Sequence, residues 1–64
     1  MKDKTIMRIF RGDFDGRIIE RICKVNRNKY LCDIYYREEL FDCWVRDTLE
    51  NAEVSIKAFL QRFK

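Results

Sequence analysis

Residues 47–64, DTLENAEVSIKAFLQRFK, constrain this chain more than any other segment. Leu49, Ala52, Ile56, Phe59, Leu60 and Phe63 recur at the spacing of one helical face. Asp47 or Thr48 can cap the first turn, and Glu50 follows Asp47 by three residues, as a capping box requires. Glu50 and Glu53 suit the positive end of the helix, Arg62 and Lys64 the negative end, and Glu53 and Lys57 can pair across one turn. An apolar stripe must be covered by something, and the preceding runs read mainly as strands. The spacing therefore predicts an α+β fold: a meander of three to four antiparallel strands packed against one C-terminal helix.

Upstream of the helix, KYLCDIYYREELFDCWV reads as a hairpin. With its tip at Glu38-Glu39, or with a four-residue loop from Arg37 to Leu40, Tyr36 faces Phe41, Ile34 faces Cys43 and Cys32 faces Val45 on one apolar side. The other side then pairs Tyr35 with Asp42, Asp33 with Trp44 and Leu31 with Arg46.

GDFDGRIIERICKV, residues 12–25, admits two readings. Ile18, Ile19, Ile22 and Val25 fit a helical stripe. Asp15-Gly16 is a hairpin-turn dipeptide, the Ile-rich run favours a strand, and NRN at 26–28 offers the next turn. The strand reading is adopted for 17–25, with a short helix as the competitor. The DFDG run lacks the third alternating acid and the closing glutamate of a calcium loop, so a turn is expected rather than a metal site.

At 64 residues the chain is read as a single domain, 1–64, burying about 60% of its unfolded surface. With 47% hydrophobic residues it is too apolar for a disordered segment. Residues 1–30 carry nine Lys/Arg against four Asp/Glu, and residues 31–64 five against seven, so a basic half precedes an acidic one. Cys23, Cys32 and Cys43 form no C-x-x-C pair, and histidine is absent. They read as small core residues; neither a disulfide framework nor a zinc site is expected, and no cofactor. With no signal-peptide pattern and no long apolar run, a cytoplasmic protein is expected, not a membrane one.

Enzymatic chemistry is not expected. A histidine-based triad cannot be assembled, and Gly12 and Gly16 are the only glycines, too few for a phosphate-cradling loop. One helix covers one face of the sheet and leaves the other open. On the hairpin register above, that face carries Leu31, Tyr35 and Trp44, margined by Arg37 and Arg46, with one or more of Ile18, Ile19 and Ile22. These are the candidate partner-binding residues. A protein partner is the first expectation, because Asp33, Asp42, Glu38 and Glu39 on the same hairpin would repel a phosphate backbone. Nucleic-acid binding through the basic half and Tyr35/Trp44 is the alternative, and a homodimer through the open face is a further option.

NKYLCDIYY followed by a helix opening Thr48-x-x-x-Ala52 resembles the arm-type DNA-binding domain of tyrosine recombinases over residues 28–60. The chain also resembles the very short accessory proteins of phages and mobile elements. The first resemblance implies a sheet that reads DNA. The second implies a modulator or inhibitor of a host protein.

Overall fold

The computed structural model describes residues 4–21 and 29–63. Strands β1 (Lys4–Arg11), β2 (Phe14–Arg21), β3 (Lys29–Tyr36) and β4 (Glu39–Arg46) precede helix α1 (Leu49–Gln61). The strands form one antiparallel sheet in the order β1-β2-β3-β4. The expected α+β meander with one C-terminal helix is the observed architecture. Residues 17–21 are strand; 22–25, including Ile22 and Cys23, lie outside the described residues.

The apolar stripe of α1 is the floor of the core. Ala52, Ile56 and Leu60 are buried against Ile18, Cys32 and Ile34, while Ile6, Met7, Ile9, Phe14, Tyr30, Trp44 and Phe59 close the margins. Thr48 is the cap; its hydroxyl accepts from the Asn51 amide. Asp47 is thereby released to bond Lys29, so the capping box expected from Asp47 and Glu50 does not form. Glu53 and Lys57 pair as expected, 2.9 Å apart. Of the cysteines read as core, Cys32 is buried, with burial raising its thiol above the ordinary pKa, but Cys43 is exposed.

Both hairpins turn earlier than expected. The first turns at Gly12-Asp13, where Gly12 has φ +63°, and Asp15-Gly16 lies inside β2. Gly16 is needed there because a Cβ would stand 2.7 Å from Ile56 Cγ2 and 2.8 Å from Ile34 Cδ1. The missing side chain lets the helix settle onto the sheet. The second hairpin turns at Arg37-Glu38, with φ +51° and +72°, the positive pair of a type I′ turn. Tyr36 then faces Glu39 and Tyr35 faces Leu40, Phe41 is a bulge residue, and Ile34 faces Asp42, Asp33 faces Cys43 and Cys32 faces Trp44.

That one-residue displacement turns the end of β4 over. Trp44, expected outward, lies on the helix side with its ring 5.6 Å from Phe59. Arg46 follows it, donating from Nε to Ser55 Oγ at 2.9 Å. Cys43 and Val45, expected inward, share the open face with Leu31 and Asp33. Phe41 still faces the helix, against Phe14, Phe59 and Phe63, because the bulge puts Phe41 and Asp42 on the same side.

Candidate functional site

The open face is ordered by register into three rows across the sheet. Thr5, Ile19, Leu31 and Val45 form an apolar row; Arg8, Arg17, Asp33 and Cys43 a charged row; Phe10, Asp15, Tyr35 and Leu40 a mixed row. Ile19, between Thr5 and Leu31, is buried, while Val45 and Leu40 at the β4 edge are 49% and 55% exposed.

The arginines of the charged row are paired within it and with the neighbouring mixed row. Arg17 lies 3.6 Å from Asp33 Oδ2, donates from Nη2 to the Tyr35 hydroxyl at 2.6 Å, and places its guanidinium 4.7 Å from the Tyr35 ring centre. Asp33 is only 7% exposed, so the pairing with Arg17 offsets the cost of keeping its charge out of water. Arg8 bonds Asp15, and Lys29 bonds Asp47 at 2.8 Å, which holds the Asp47 carboxyl below its ordinary pKa. The Arg17 guanidinium and the Tyr35 ring, with Asp33 beside them, form a charge-paired centre flanked by aliphatic side chains.

Leu31 and Tyr35 are brought together on this face as expected; Trp44 and Arg46 are not. Those two line a groove of about 370 Å³ between β4 and α1, with Asp42, Ser55, Phe59 and Arg62. Arg46 lies 5.9 Å over the Trp44 ring, and the Trp44 Nε1 is buried without an acceptor. Arg37 belongs to neither surface. It caps the hairpin tip, 5.1 Å over the Tyr36 ring and 3.5 Å from Asp13 Oδ2. Of the isoleucines offered for the open face, Ile19 occupies it and Ile18 is core.

Arg17 and Arg8 are central to the face yet were not among the expected residues, whereas Asp33 was expected on it and lies there. Their signal was alternation: Arg17 and Ile19 on β2 share parity with Asp15, and Leu31, Asp33 and Tyr35 alternate on β3. It becomes readable only once the β2–β3 register is known.

No protein-family model, curated protein or solved structure matches the chain. No helix among the described residues is long and apolar enough to cross a membrane, and no group of three or more His, Cys, Asp or Glu among them is placed to hold a metal ion.

Proposed function

We propose that the protein is a non-catalytic binding module whose open sheet face docks on another protein. The observation that carries this reading is the pairing of the face's described cations with carboxylates. Arg8, Arg17 and Lys29 each stand against a carboxylate within hydrogen-bond or ion-pair distance. A phosphate backbone would have to displace Asp15, Asp33 and Asp47 to reach them, and nucleic-acid affinity rests mainly on cations that release counterions. A protein surface needs no such displacement. It can cover Leu31, Val45 and Leu40 and use Tyr35 and the edge of the Arg17 plane as anchors. Action as a modulator or inhibitor of a host protein, encoded by a phage or mobile element, is the version of this role that the sequence resemblance favours.

The test begins with immobilised protein in nuclease-treated lysate of the native host, followed by titration of the purified captured protein. Leu31→Lys and Tyr35→Ala, with circular dichroism unchanged, should each weaken that titration by about tenfold or more. The chain should show little affinity for single-stranded DNA, RNA or duplex at physiological salt. Tight nucleic-acid binding that collapses as salt rises would overturn the reading, as would a captured partner indifferent to both substitutions.

A further inference from the structure

The β4 strand borders the sheet, and its sequence is complementary to itself. Read outward along Glu39–Arg46, the side chains alternate between the helix side and the open side, except that the bulge puts Phe41 and Asp42 together on the helix side. Counting that pair as one position leaves seven positions with Cys43 at the centre. A second β4, laid antiparallel about a two-fold axis through Cys43, then brings Glu39 to Arg46, Leu40 to Val45, and the Phe41/Asp42 bulge to Trp44, each twice. Every pair lies on a common side of the sheet. The acid meets the base, the exposed aliphatics meet each other, and Phe41, 55% exposed in one chain, gains an indole beside it. Shifting the register by one position would put side chains of opposite faces together.

We propose that β4 is the seam of a symmetric homodimer, joining two sheets into one of eight strands with both helices on the same side. The other border, β1, does not fit this role. Its reversed pairing sets Lys4 against Arg11, and the strand holds Arg8 but no acid. Unlike poles are thus confined to β4, and an isologous contact closes at two chains. In the single chain the seam is held by its own side chains: the Cys43 amide donates to Asp42 Oδ1 at 2.8 Å, and the Val45 carbonyl accepts from Arg46 Nη1 at 2.9 Å. Backbone groups of the second strand replace both, and Arg46 turns to Glu39 of the second copy. This exchange makes the dimer reversible and dependent on concentration. The seam takes Leu40, Cys43 and Val45 from the β4 border of the open face, and the dimer sets the two docking faces side by side.

The two-fold axis supplies the test. Directly opposed residues of antiparallel strands have Cα atoms about 4.5–5.5 Å apart, inside the range a disulfide spans. Under reductant, sedimentation velocity should show a monomer–dimer equilibrium. With oxidised glutathione as oxidant, two Cys43 thiols give up two protons and two electrons, yielding one interchain disulfide and two reduced glutathiones. Peptide mapping should place the bond at Cys43–Cys43, and Cys43→Ser should abolish it. Glu39→Arg opposes like charges at both ends and should weaken the dimer by about tenfold and suppress the cross-link. Adding Arg46→Glu to Glu39→Arg should restore both. A monomer up to millimolar concentration overturns the proposal, as does an interchain bond at another cysteine. So do a dimer indifferent to the charge reversal and species growing beyond two chains, the mark of a β1–β4 contact.

Discussion

Replacing Gly16 by alanine tests how closely the helix lies on the sheet. The added methyl would stand 2.7 Å from Ile56 Cγ2 and 2.8 Å from Ile34 Cδ1, and both isoleucines are fully buried. Overpacking of this kind costs about 1–3 kcal/mol. Alanine recovers about 0.5–1 kcal/mol of the entropy that glycine loses in a strand. The net expectation is a loss of roughly 1–2 kcal/mol, or a fall in Tm of about 7–15 °C for a domain of this size. Urea unfolding followed by Trp44 fluorescence reads it directly, provided the slope is unchanged. Ile34→Val removes the Cδ1 that crowds the new methyl. Alone it should cost about 0.5–1.5 kcal/mol. Combined with Gly16→Ala it should cost less than the sum by about 0.5 kcal/mol or more. Should Gly16→Ala stabilise the protein, with Ile34→Val strictly additive, the helix does not press on β2 and the core assignment fails.

Trp44, packed against Phe59, should emit at short wavelength and resist acrylamide, and Trp44→Ala should cost about 2 kcal/mol or more; a red-shifted, readily quenched indole would return it to the open face. Asp33→Ala leaves the Arg17 charge half-buried and should cost about 1–3 kcal/mol, and Arg17→Met with Asp33→Leu should recover most of that loss; equal melting of the Asp33→Ala variant and the parent would show the pair is not buried. The Cys32 thiol has its pKa raised in the folded state, so its contribution is complete below the unfolded pKa and is lost as pH rises through the folded value. Unfolding midpoints should accordingly fall on the alkaline side, and the fall should shrink in Cys32→Ala; an identical alkaline limb in the two proteins would refute this.

The parts legible in the sequence were those governed by local rules. The helix was readable because Ala52, Ile56 and Leu60 recur with its period and Thr48 stands where a cap belongs. The core of β3 was readable because Cys32, Ile34 and Tyr36 alternate with Leu31, Asp33 and Tyr35. The sides of β4 were not, because they depend on the β3–β4 register, which no local pattern in the sequence reveals. Arg37 and Glu38 adopt left-handed backbone without glycine or asparagine, so no turn dipeptide announced them. The bulge at Phe41 is equally silent, yet it keeps Phe41 inward while Trp44 turns inward as well. For the candidate site this decided the outcome. Leu31 and Tyr35, placed by β3 alone, stayed on the open face, whereas Trp44 and Arg46, placed by the register, left it.

The hairpin tip at Arg37-Glu38 has a consequence for how freely the domain can be altered. Two charged residues with a Cβ hold a conformation that glycine or asparagine adopts with less strain. The turn therefore follows from the strands rather than directing them, and it is the bulge and the buried side chains of β3 that hold the alignment. A tip of this kind is a graft point. Its two residues can be exchanged for a tighter pair or opened to accept a foreign loop, while the sheet beneath keeps its own alignment.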